Sequence, residues 1–136
     1  MVAIDLLPIA PIEGAITLGK VDFTSPLNQS KILNVLSDRP VDLVMSDMAP
    51  NATGTQSLDH DLIVNLAITA LKFAILVLRK DTGNFLVKLW DGDRVKQFNE
   101  QFIDKFFRKS YIVKPPASRV HSGELFILGK EFRGIK

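Results

Sequence analysis

A chain of 136 residues, 46% apolar and 24% charged, is long enough for one domain with a substantial core and has the balance of a globular fold, not a disordered or fibrous one. It holds no cysteine and only two histidines, His60 and His121, which excludes disulfides and thiolate metal sites and leaves too few ligands for most histidine-based ones, so no metal site is expected. The net charge of +2 conceals a division: residues 1–64 carry three basic side chains against eight acidic, and residues 65–136 fourteen against seven. A basic second half suits a polyanion, although ordinary solvated charge has the same composition.

Met1 leads straight into VAIDLL, with no signal-peptide pattern. Residues 2–6 are predicted to be a short buried strand closed by Pro8, and residues 15–18 a second strand followed by a loop that contains Asp22. Pro26 and Asn28 introduce a helix over 29–36, with Ile32, Leu33 and Leu36 on one face. VDLVMS at 41–46 is the next strand, ending in a polar loop at 47–57. A long helix is predicted over 58–79. One apolar stripe is Leu62, Leu66, Ala70, Phe73 and Val77, widened by Ile63, Ala67, Leu71, Ala74 and Leu78. Asp59 and Asp61 near its start and Arg79 and Lys80 at its end match the helix dipole. The apolar run 62–78 is interrupted by Asn65, Thr69 and Lys72 and is shorter than the roughly 20 residues a bilayer needs, so it reads as a buried helix and no membrane partner is expected. Residues 81–83 form a turn and 84–89 a buried strand. An amphipathic helix follows over 94–108, with Val95, Phe98, Phe102, Ile103 and Phe106 inward. Residues 111–113 and 125–128 are the last strands, separated by the polar loop 114–123. Alternating strands and helices predict a single α/β domain with a mostly parallel sheet. A connection of about a dozen residues without a helix makes the last strand antiparallel.

Ligands of open α/β sheets bind at the carboxyl ends of the strands, and three polar residues converge there. Asp47 directly follows VDLVMS, Lys88 closes NFLVK, and Glu124 opens the final strand, which starts on the same edge if it runs antiparallel. Singly, each has a plainer reading: Asp47 as a turn residue, Lys88 at a solvated strand end, Glu124 as a surface carboxylate. Together they place an amine between two acids. Asp5 ends the first strand, where related folds set a carboxylate against ribose hydroxyls, and Asp22 follows the next strand at the same edge. The glycine-rich turn that should precede Asp5 is not found, since Gly14 and Gly19 do not make such a loop.

With these segments in place, the sequence resembles the FtsJ-type rRNA 2′-O-ribose methyltransferases. The resemblance is carried by IDLLPI at 4–9, VDLVMSDMAPNATG at 41–54, FLVKLW at 85–90 and KPPASRVHSGELFIL at 114–128, in family order and across essentially the whole chain. NATG with LDHD at 58–61 looks closest to the mitochondrial, uridine-modifying subgroup. The resemblance implies a Rossmann-like S-adenosylmethionine-dependent methyltransferase fold. It matches Asp47, Lys88 and Glu124 to three members of a Lys-Asp-Lys-Glu catalytic tetrad. It assigns Asp5, Asp22 and Asp47 to S-adenosyl-L-methionine. It implies that the first strand, its cofactor loop and the first tetrad lysine belong before Met1. The implied partner is ribosomal RNA or the large ribosomal subunit, met by Lys114, Arg119 and the basic face of 94–109. The implied state is a monomer, in the mitochondrion or, alternatively, the bacterial cytoplasm. Two other readings compete: a non-catalytic RNA-binding or ribosome-assembly protein that keeps the fold, and a nicotinamide-dependent oxidoreductase suggested by the strand pattern alone.

Overall fold

The computed structural model of the chain describes residues 1–115 and 123–135, which fall into two compact units, Met1–Arg39 and Pro40–Lys136. In the first, β1 (Val2–Ile4) and β2 (Ile16–Leu18) pair in parallel, Val2 opposite Ile16 and Ile4 opposite Leu18. β1 ends two residues before the predicted boundary because the Asp5 carboxylate accepts the Leu7 N–H at 3.0 Å and turns the chain. Helix α1 spans Pro26–Leu36, three residues longer at its start than the periodicity predicts. Ser25 is its N-cap, and Pro26 at the first position loses no hydrogen bond by lacking an N–H. Ser37, in the left-handed region at φ 52°, closes it.

The second unit is a four-stranded sheet with helices. β3 (Leu43–Ser46), α2 (Gln56–Val77) and β4 (Asn84–Trp90) are followed by α3 (Asp93–Phe98), a π-helical segment Asn99–Ile103 and the short α4 (Asp104–Phe106). β5 (Phe107–Val113) and β6 (Glu124–Phe132) complete it, in the order β3-β4-β6-β5. β3 runs parallel to β4, while β6 runs antiparallel to both β4 and β5. Three strands therefore point one way, and the last strand is inserted against them, as the short connection requires. β4 alternates strictly: Phe85, Val87 and Leu89 are buried, and they sit beside Gly129, Ile127 and Leu125 of β6. That face packs with α2 in one hydrophobic cluster.

Three expectations are corrected. α2 buries Ile63, Ala67, Ala70, Leu71, Phe73 and Ala74, with Leu78 just beyond it, so the stripe expected only to widen the face is its centre. The helix is long and apolar enough to cross a bilayer by composition, but these positions belong to the sheet's core. The helix predicted to reach 108 stops at Phe106, and β5 begins at Phe107 instead of 111. β6 extends to Phe132 instead of 128. Its buried positions are 125, 127 and 129, then 132. Glu131 at φ 61° breaks the alternation and turns Phe132 inward.

Candidate functional site

The parallel direction of β3 and β4 brings their carboxyl ends to one rim, and Ser46 lies beside Val87. The next residue on each strand is Asp47 or Lys88. The antiparallel β6 begins on the same rim, with Glu124 opposite Trp90 and Phe126 opposite Lys88. Lys88 Nζ lies 3.2 Å from Asp47 Oδ1 and 3.1 Å from Glu124 Oε1. Its side chain is 13% exposed, against 76% for Asp47 and 46% for Glu124, so a sheltered ammonium is held by two carboxylates that face water.

Burial on its own pushes the Lys88 pKa down. The hydrogen bonds of Glu124 and Asp47 and the charges of both acids act in the opposite direction and outweigh it, so the pKa stands above the usual lysine value. Lys88 is therefore protonated at neutral pH. It can donate hydrogen bonds and attract negative charge, and its donors are aimed by the two acids.

The loop after β3 is fixed by a residue the sequence reading treated only as a helix-dipole partner. Asp59, 8% exposed in the first turn of α2, accepts the Thr53 N–H at 2.8 Å and the Thr53 hydroxyl at 2.6 Å. These bonds outweigh desolvation and lower its pKa. Its charge is carried mainly by these hydrogen bonds, with smaller contributions from the Gly54 N–H and from His60. An acidic residue six positions after a threonine in a loop-to-helix junction is the signal that could have marked it. Further along the rim, Lys114 follows β5 and pairs with Asp91 at 3.2 Å. Arg119 lies outside the described residues.

Asp5 and Asp22 belong to the first unit. They follow the carboxyl ends of the parallel pair β1 and β2, Asp5 directly and Asp22 four residues on. Asp5 Oδ1 takes the Leu7 N–H. Asp22 Oδ1 takes the Thr24 hydroxyl at 2.6 Å and the Thr24 N–H at 2.9 Å, which lowers its pKa. Each carboxylate keeps a second oxygen. Among the described residues no group of three or more His, Cys, Asp or Glu could hold a metal.

Comparison with known proteins gives this rim a context. A Drosophila melanogaster protein named rRNA methyltransferase 2, mitochondrial, is 41% identical over 132 residues, covering 97% of this chain and 52% of that protein. A Methanocaldococcus jannaschii protein named ribosomal RNA large subunit methyltransferase E is 37% identical over 139 residues, covering 100% of this chain and 56% of that protein. The chain spans about half the length of these curated relatives. A Plasmodium falciparum crystal structure described as a ribosomal RNA methyltransferase has the same fold, with a TM-score of 0.84 at 20% identity over 98% of this chain and 72% of that one. The FtsJ-like methyltransferase family matches residues 1–132, and the chain belongs to that family.

Proposed function

We propose that the chain carries the catalytic part of an S-adenosylmethionine-dependent RNA 2′-O-ribose methyltransferase acting on a uridine of large-subunit ribosomal RNA. The observation that carries this reading is the Lys88 ammonium gripped by Asp47 and Glu124 at the sheet's rim. Support comes from membership of a methyltransferase family and from relatives named for action on rRNA. The family match runs through both units, which supports reading them as parts of one methyltransferase domain. The name of the Drosophila relative supports a mitochondrial location, with the bacterial cytoplasm as the alternative. The protein is proposed to act as a monomer.

S-adenosylmethionine, when bound, supplies an electrophilic methyl on a sulfonium. The acids of the first unit fit its nucleoside part: Asp5 and Asp22 each engage one oxygen locally and keep the other to accept from a ribose hydroxyl or the adenine amine. Asp47 is proposed for both cofactor binding and catalysis. Lys88 donates to the 2′ oxygen and aims a lone pair for in-line attack, so that positioning supplies much of the rate. The proton that the 2′ hydroxyl gives up on methylation would pass to one of the flanking carboxylates, Asp47 or Glu124. Lys114 and Arg119 are proposed to contact phosphates.

The test is Lys88→Ala in the complete protein. Methyl transfer to rRNA should fall at least about a hundred-fold, while calorimetric titration finds S-adenosylmethionine binding unchanged. Near-normal turnover would remove Lys88 from the mechanism.

A further inference from the structure

An open cleft of about 330 Å³ lies between the first turns of α2 and the turn from β4 to α3, lined by Gln56, Ser57, His60, Gly92, Asp93 and Arg94. None of these six belongs to the Asp47–Lys88–Glu124 cluster, but one strand ties the cleft to it. Lys88 and Trp90 share a face of β4, about 6.6 Å apart along the strand. The Trp90 ring meets the His60 ring at 6.1 Å between centroids and an interplanar angle of 54°.

The cleft has a built shape. Gly92 sits at φ 155°, and a Cβ there would lie 2.9 Å from His60 Cε1, so a side chain at residue 92 would displace the imidazole. Arg94 is held by the Ser57 carbonyl at 2.8 Å and the Asp61 carboxylate at 3.0 Å. With Asp61 on the guanidinium and Asp93 in the lining, the cleft has no surplus of positive charge for a phosphate. Its walls offer an amide, a hydroxyl and an imidazole. Those groups suit a flat, neutral ligand with donors and acceptors on its edge, and the volume is at the lower end for a small-molecule site.

A nucleobase has that chemistry. Sequence-specific RNA contacts are made to splayed-out bases, stacked on aromatic, histidine or arginine planes and read on their edges. A ribose presented to Lys88 carries its own base, which has to be accommodated within one nucleoside of the ammonium. We propose that this cleft takes the unpaired base of the nucleotide whose ribose faces Lys88, with His60 as its stacking surface and Gln56 reading its edge. The assignment rests on the reading of the rim as a ribose-methylating site.

The experiment uses the complete protein and a short RNA in which one central uridine is flanked by abasic ribose phosphates, compared with the same strand fully abasic. Wild type should bind the one-base strand at least about five-fold more tightly. His60→Ala and Gln56→Ala should bring that ratio towards one and leave affinity for the abasic strand unchanged. A ratio that survives both substitutions, or that wild type lacks, overturns the proposal. With 4-thiouridine as the single base, photocrosslinks in wild type should fall within 56–60 or 90–94, and crosslinks confined to other residues overturn it even if a variant fails to fold. Methyl transfer is scored separately on wild type. A base preference abolished by the substitutions, in a protein that transfers no methyl group, supports the base site and sinks the enzymatic reading.

Discussion

Lys88 is charged where a general base would have to be neutral. Because Glu124 and Asp47 raise its pKa against the pull of burial, the neutral amine is scarce at physiological pH, and orientation is the role that charge state permits. The two roles separate in a pH profile. An orienting ammonium gives a rate that is flat between about pH 7 and 9 and falls only as Lys88 deprotonates above its ordinary value of roughly 10.4. A rate rising tenfold per pH unit across that window would make Lys88 the base and overturn the orienting role. The same shift fixes a sign for stability: the trio's contribution is complete below the unfolded pKa and is lost as pH rises through the raised folded value. Asp59 behaves oppositely. Its pKa is lowered by the Thr53 donors, so its contribution is present above about pH 3.8 and is lost as pH falls through the lowered value. Asp59→Ala should accelerate hydrogen exchange at the Thr53 amide and reduce methyl transfer, since the loop it clamps carries Asp47. Unchanged protection at Thr53 would mean that the clamp does not order the loop. The convergence of Asp47, Lys88 and Glu124 was legible because strand ends and strand direction follow from the order of elements. The Asp59–Thr53 clamp and the His60 cleft were not, since both depend on loop conformations that no periodicity encodes.

At the scale of elements, legibility followed how one-sided each segment is. β4 has a buried face of Phe85, Val87 and Leu89, and its span was read to within one residue. α2 is apolar nearly all round, so periodicity could not phase it, and the sheet chose Ile63, Ala67, Leu71 and Ala74 as the inward row. β5 and β6 concealed their length because Arg108, Lys109, Lys130 and Glu131 interrupt the apolar pattern. Arg108 bonds Asp81 at 2.6 Å and Lys109 pairs with Glu131 at 3.2 Å, so these charges decorate a ladder that is interrupted only opposite Glu131. Gly129 is the tightest point of that ladder. A Cβ there would meet Phe107 Cγ at 2.7 Å and Ile103 Cγ2 at 3.2 Å, and the Phe107 ring is wedged against Phe85 and Phe132. Gly129→Ala should therefore destabilise the protein by about 1–3 kcal/mol through overpacking, measured by denaturant unfolding. Adding Phe107→Leu should recover part of the loss. Independent, additive effects of the two changes would show that the glycine is not required by the ring.

Across the whole molecule, the basic second half of the sequence is not one basic surface, because strand direction redistributes it. β5 and β4 run the same way, so Lys88 and Lys114 reach the rim at their carboxyl ends. Arg108 and Lys109 stay near the other edge, together with Lys130 of the opposed β6. Most of these cations already have acidic partners, and Lys114 is itself paired with Asp91. With side chains 64% and 55% exposed, that pair is worth no more than about 1 kcal/mol, so a phosphate can replace the carboxylate at little cost. If RNA is gripped at the rim, Lys114→Glu should weaken rRNA association and lower the slope of log affinity against log salt by about 0.7, the single-strand value for one phosphate left unneutralised. Lys80→Glu is the matched control. It makes the same change in net charge, but Lys80 precedes β4 and so lies towards the amino end of that strand, away from the rim. Affinity and slope should both move for Lys114 and stay for Lys80. Equal effects would mean that RNA responds to total charge alone, and the assignment of Lys114 as a phosphate contact would fall with it.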